Sequence, residues 1–196
     1  MIDLRFNKES QKALKNLKGL VTNDDLRPQL AYISFRNGYL YAVGAQASSL
    51  IRVPLEFYGF TAADIELLNG KYLHIEDLLE LASCDSIEVR AEEMIGIRGT
   101  RKILCNFAEL SDYPPVETVF PERNDVGRAN ITFNVKVLNS LVAAFVENRR
   151  IVATDCYSSG ASNPVLVVPY YGDATFDSED NAREQEGVIM PIIKNV

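Results

Sequence analysis

One pattern constrains the fold of this 196-residue chain more than any other. A short β-type run leads into a short amphipathic helix and then into further β-type runs, and this happens three times. The period is about 60–70 residues, within reach of a recurring supersecondary unit. Each copy places apolar residues eight apart across its strand-to-helix junction: Phe6 and Leu14, Leu73 and Leu81, Phe133 and Leu141. The tripeptide Arg5-Phe6-Asn7 returns as Thr132-Phe133-Asn134.

In the first copy, residues 2–6 alternate apolar and polar, as a half-buried strand does. A helix is expected from Lys8 to about Val21, with Asn7 as its N-cap and Gly19 near its end. Runs 30–35 and 39–43 flank Asn37-Gly38, a dipeptide suited to a two-residue hairpin turn, and run 50–55 continues the sheet. The second copy reads as strand 71–75, helix 76–83 and strands 86–90, 95–98 and 102–107. A Pro-rich, polar passage from Tyr113-Pro114-Pro115 to Arg128 reads as a connector. The third copy reads as strand 130–133, helix 135–146 and strands near 150–154, 165–169 and 187–193, with an acidic loop over 173–186. The predicted fold is therefore α+β, built from three βαβββ units. Antiparallel sheets form one side and helices packed side by side form the other. Units one and two make a domain over 1–122, and the third unit occupies 123–196.

Catalytic chemistry finds no footing. The single histidine, His74, precedes an acidic helix start and has no cysteine near it in sequence, so it reads as a surface or capping residue. No GxSxG, P-loop or GxGxxG spacing occurs. Asp85, Glu92, Glu93, Asp177, Glu179 and Asp180 fall in turns and loops, where carboxylates are usually solvated. Cys84, Cys105 and Cys156 are few, odd in number and widely spaced, which suits reduced thiols in a cytoplasm and not a disulfide framework. No window approaches the length of a membrane span, and the opening MIDLRFNKES lacks the apolar core of a secretory signal. No catalytic residue, metal site or cofactor is expected.

The net charge of −7 speaks against nucleic acid as a partner, but what matters is where the lysines sit. At 100° per residue, Ala13, Leu14, Leu17, Leu20 and Val21 fall on one side of the first helix. Lys8, Lys12, Lys15 and Lys18 fall on the other. Such a face is either plain solvated surface or one that follows phosphates as point charges without reading bases. The second helix has an acidic polar face of Glu76, Asp77 and Glu80, and the third shows only Lys136, Ser140, Ala143 and Glu147.

The chain resembles the bacterial DNA polymerase sliding clamps. The resemblance covers roughly 1–125 and 128–196. It is carried by Arg27-Pro28-Gln29-Leu30-Ala31-Tyr32-Ile33 with Asn37-Gly38-Tyr39-Leu40-Tyr41-Ala42-Val43, by the passage 107–121 with its Tyr113-Pro114, by 130–141, and by Val188-Ile189-Met190-Pro191-Ile192 near the end. The family fold is a ring of βαβββ units, with helices lining a hole around duplex DNA and sheets outside. The resemblance implies DNA-facing Lys8, Lys12, Lys15, Lys18 and Lys136. It also implies an apolar groove that docks DNA polymerase or other clamp-binding peptides, lined by Leu50, Pro114, Val119, Val188, Met190, Pro191 and Ile192. The chain departs from the family over 44–50, which lacks the usual His and Arg, and at Thr118 and Ile193, where arginine is familiar. Clamp domains pair two units, so the third unit here has no partner within the chain. This implies a homo-oligomer in which two chains complete a shared domain, or a chain that closes no ring. The alternative function is a non-ring protein-interaction module that does not bind DNA.

Overall fold

The computed structural model describes residues 6–21, 26–44, 49–120, 127–128, 135–145, 153–158, 164–170 and 185–190. The expected strand at 2–6, apart from Phe6, the expected strand at 130–133, most of the acidic loop, and Pro191 and Ile192 lie outside these residues.

Helix α1 runs Lys8–Leu20 and starts where the Asn7 side chain accepts the Ser10 N–H at 2.8 Å. That bond satisfies one of the four donors a helix start leaves open. Strand β1 (Tyr32–Arg36) turns into β2 (Tyr39–Val43) through Asn37 and Gly38, both left-handed at φ 51° and 82°. Two successive positive φ values match the right-handed twist of the strands they join, which is why Asn-Gly suits the position. Next come β3 (Ser49–Pro54), α2 (Ala62–Leu68), β4 (Lys71–His74) and α3 (Ile75–Ala82). Strands β5 (Ser86–Val89), β6 (Glu93–Arg98) and β7 (Arg101–Asn106) close the second unit. The rest comprises β8 (Gly127–Arg128), α4 (Val135–Ala144), β9 (Ala153–Ser158), β10 (Val165–Tyr170) and β11 (Glu186–Ile189).

Several elements differ from the sequence reading. Pro28–Ala31 is a 3-10 turn, so the first strand of the hairpin starts at Tyr32 and not at 30. Pro28 fixes φ and cannot donate to a ladder, which favours a turn at that point. Helix α2 has no counterpart in that reading. Its seven residues are too few to show a period, but Thr61 and Asp64 form a reciprocal capping box, with Thr61 N–H donating to Asp64 Oδ2 at 2.9 Å. The strand expected near 150–154 lies at β9, a few residues later. Glu186, expected in the acidic loop, begins β11 instead.

All the strand pairs among the described residues are antiparallel, in two sheets. One has the order β4-β1-β2-β3-β11-β10-β9-β8 and the other β5-β6-β7. The third unit therefore has a partner inside the chain, contrary to the sequence reading. Its β11 pairs with β3 of the first unit, Leu50 facing Val188 and Arg52 facing Glu186.

The helices α1, α3 and α4 bury their apolar stripes against one side of the sheets. Leu14, Leu17, Leu78, Leu81, Leu141 and Phe145 are fully covered there, with Ile33, Phe35, Ile51 and Val53 of the strands in the same core. Glycine sets the closeness of this packing at two matching places. A Cβ on Gly96 would lie 2.4 Å from Cys84 Sγ and 3.0 Å from Leu81 Cδ2, and one on Gly187 would lie 2.5 Å from Leu141 Cδ2. The second and third units thus seat the equivalent leucine on a bare strand. Among the described residues no helix is long and apolar enough to cross a membrane.

Candidate functional site

The two faces of the large sheet carry different chemistry. On the helix side, α1 packs against both α3 and α4. Its Asn16 amide donates to the Ala143 carbonyl of α4, and Lys18 Nζ meets Glu76 Oε1 of α3 at 2.7 Å. All five residues expected on the apolar side, Ala13, Leu14, Leu17, Leu20 and Val21, are buried. Lys8, Lys15 and Lys18 are exposed, Lys12 is half-buried, and Lys136 is exposed on α4. Across α1, α3 and α4 five lysines stand against four carboxylates, Glu9, Glu76, Asp77 and Glu80. The layer is thus close to neutral in a chain of net charge −7. Its one cross-helix ion pair, among those described, joins two half-exposed side chains, an arrangement worth ~0–1 kcal/mol in water. A phosphate could take the Lys18 end at little cost.

On the opposite face, cross-strand neighbours form an apolar row: Val43, Leu50, Val188, Leu166 and Tyr157 from β2, β3, β11, β10 and β9. Period-two alternation makes this the second face of strands whose other side chains enter the helix core. Residues 113–120 lie over it as a strap. Val116 and Phe120 are buried in the same cluster as Leu30, Tyr41, Val43, Leu50, Leu166, Val168 and Val188, and Val119 packs against them half-buried.

The strap is held by side chains. The Tyr113 hydroxyl donates to the Tyr32 carbonyl at 3.0 Å, and its ring lies 5.0 Å from that of Tyr72. Arg36 Nη1 meets Glu117 Oε1 at 3.2 Å, while Arg36 Nη2 donates to the Tyr72 hydroxyl. Burial disfavours the Arg36 cation, but these two partners outweigh it and its pKa moves up. Burial likewise raises the Tyr113 and Tyr41 phenols, with Arg52 opposing in the case of Tyr41. Phe120 meets Tyr41 edge-on at 6.1 Å, and the Arg52 guanidinium sits 4.4 Å over the Phe120 ring. The same guanidinium donates from Nε to Glu186 Oε2 at 2.8 Å, and Glu186 is only 1% exposed.

Of the residues expected to line a docking groove, the structure brings Leu50, Val119 and Val188 into one cluster. Pro114 is half-buried on the strap, and Met190 follows β11 with 42% of its surface exposed. Sequence reasoning missed Val116, Phe120 and the Arg52–Glu186 and Arg36–Glu117 pairs. The apolar residues of the strap were visible, but no period tells which way they point. The ion-pair partners lie 134 and 81 positions apart.

His74 is the N-cap of α3, accepting the Glu76 N–H at 3.3 Å. Cys84 and Cys105 are buried, and burial pushes the Cys105 thiol up to about 12, where it holds its proton at neutral pH. Among the described residues no three His, Cys, Asp or Glu side chains gather as a metal-ligand set.

Two antiparallel sheets backed on one side by helices at repeat spacing define the architecture of the DNA sliding clamps. Solved structures make the likeness specific. The chain superposes on the Helicobacter pylori beta clamp solved with carprofen at TM-score 0.65 and 12% identity, covering 98% of this chain and 66% of that one. It superposes on a Bartonella birtlesii sliding clamp (DNA polymerase III subunit beta) bound to griselimycin at 0.58 and 14%, covering 94% and 63%. For the beta subunit of DNA polymerase from Streptococcus pyogenes the values are 0.58 and 12%, covering 95% and 64%. The chain thus spans about two thirds of the length of these clamps. No protein-family model and no curated protein sequence matches it, so the likeness is one of fold.

Proposed function

We propose that this protein is a sliding-clamp-like scaffold without catalytic activity, which tracks duplex DNA in the cytoplasm with its helix layer and docks partner peptides, a DNA polymerase among them, on the opposite face. The carrying observation is the charge on the helix layer. Its five lysines, four of them on the central helix α1, nearly neutralise the layer in a chain of net charge −7. Lysine point charges on a rigid helix suit phosphates and do not discriminate sequence. The likeness of fold to polymerase clamps supports the same reading, and so does an apolar face turned away from the lysines. The assembly belongs to this proposal: copies of the chain, each with a two-unit domain over 1–122 and a third unit over 123–196, join around the duplex.

The test is charge reversal of Lys8, Lys12, Lys15 and Lys18 to glutamate, with retention measured on circular and on nicked, linearised DNA. Retention on circles should be lost. Four phosphate contacts imply a log–log salt slope of about −3.6 per engaged chain, or about −2.7 if Lys18 keeps its bond to Glu76. Retention unchanged by the reversal removes α1 from the DNA interface. One observation favours a second reading, a protein-interaction module that leaves DNA alone: α3 sets Glu76, Asp77 and Glu80 beside α1, and Glu76 already holds Lys18. That reading expects no salt-dependent binding to either form of DNA.

A further inference from the structure

The third unit finds its partner inside the chain, so assembly has to use a surface other than the one the sequence suggested. Among the described residues the two sheets have four ends. At one, the Tyr72 carbonyl of β4 already accepts the Ala108 N–H at 2.9 Å. At another, β8 is only two residues long. At the third, α2 packs against β5. The fourth is β7, which among the described residues pairs with β6 alone, along all six of its residues. An unpaired edge offers a row of backbone donors and acceptors to another strand.

The repeat supplies a precedent. β3, β7 and β11 are the last strands of units one, two and three, and β3 and β11 pair antiparallel with each other through four residues. β7 is the third strand of this kind and has no such partner among the described residues. Its side chains sort by face. Ile103 and Cys105 pack into the helix core, while Lys102, Leu104 and Asn106 are exposed on the outer face, Leu104 by 55%. Ile97 of β6, cross-strand from Lys102, adds a second apolar side chain there at 46% exposure. Charge is confined to one end of the strand, at Arg101 and Lys102, and residues 103–106 carry none. A parallel pair of such strands would set like charges side by side. An antiparallel pair sets each charged end against an uncharged one.

We propose that β7 joins two copies of the chain, pairing antiparallel with β7 of the partner subunit about a two-fold axis centred on Leu104. Leu104 then faces its own counterpart, Lys102 faces Asn106 of the partner subunit, and Ile103 faces Cys105 of the partner subunit. Side chains opposite each other in an antiparallel pair share a face, so the exposed leucines cover one another. A centre on Ile103 would instead set Lys102 against Leu104 and keep the leucines apart. The two three-stranded sheets become one of six strands, with both helix layers on the same side. This rests on the assembly part of the reading above and names the edge that carries it. Six-residue edges make a small interface, below about 1,200 Å², so the dimer should dissociate on dilution.

Leu104 is exposed, so substitutions there leave the fold alone, which circular dichroism melts check. Leu104→Glu and Leu104→Lys each set like charges opposite each other and should weaken self-association at least about fivefold, read by sedimentation equilibrium of the whole chain. An equimolar mixture of the two variants should associate as tightly as the parent, because glutamate then faces lysine. Leu104→Cys should give a disulfide-linked dimer under mild oxidation, since opposite Cα atoms lie about 4.5–5.5 Å apart, within disulfide reach. Lys102→Cys should not, because its counterpart lies ~13 Å away along the strands. The parent, with Cys84, Cys105 and Cys156, is the control for both. A parent that associates while every one of these changes is without effect overturns the β7 edge and leaves assembly through another surface standing. A parent that stays monomeric at hundreds of micromolar overturns the edge and the assembly together.

Discussion

At the scale of single residues, two positions have consequences that can be measured directly. Gly187 leaves room for Leu141 to press α4 onto β11, since an added Cβ would lie 2.5 Å from Leu141 Cδ2. Gly187→Ala should cost ~1–3 kcal/mol through overpacking. Leu141→Ala should cost ~2–5 kcal/mol through loss of a fully buried side chain. The two changes together should cost less than their sum, because each removes the other's clash or void. Urea midpoints of the three variants check this, and strict additivity would show that the residues are not in the contact described. Met190 is the other case. It follows β11 with 42% of its surface exposed, so Met190→Asp should leave the melt unchanged, and on the docking reading it should abolish binding of a clamp-interacting peptide. Loss of folding in that variant would place Met190 in the core instead of at a docking rim.

Among the elements, β11 carries the most for its length. It sits between β3 and β10 and is the only described link between the strands of the first and third units. All four of its residues are buried, and Val188 and Ile189 each contribute ~1.5–3 kcal/mol by leaving water. Deleting the last ten residues removes Gly187, Val188 and Ile189 and leaves the ladder edges of β3 and β10 unpaired. The truncated chain should aggregate or melt far below the parent, as differential scanning fluorimetry would read. An unchanged melting temperature would mean that β11 adds nothing to the fold. Helix α1 shows a different lesson of the same scale. Its cap, its buried stripe and its lysine face were all legible, because an i, i+3, i+4 stripe and a side-chain cap act within a few residues of one another. Its neutralising partner Glu76, on another helix, was not.

For the whole molecule, the balance of charge sets the behaviour. A single copy with net charge −7 repels DNA from most of its surface, and one basic helix competes poorly with that field. On the proposed reading, assembly would align several lysine helices and let their phosphate contacts act together. DNA retention should therefore track the assembled fraction. Light scattering across a dilution series, run beside retention on circular DNA, should show both falling together. A strict monomer at every concentration, or a monomer retained as well as the assembly, removes the encircling arrangement.

Local sequence alone determined the helices α1, α3 and α4 at their repeat spacing, the Asn37-Gly38 hairpin and the two faces of α1. These follow from backbone preferences and side-chain periods that operate over a handful of neighbouring positions. The tertiary structure alone decided three things. It joined the third unit to the first through β3 and β11, and it laid residues 113–120 over the outer face of the sheet. It also set Arg52 against Glu186 at a sequence distance of 134. Edge strands with similar patterns compete for the same partners, and an apolar connector carries no period to declare its direction. Such choices are made by the burial that the folded chain achieves as a whole, which no short window of sequence contains.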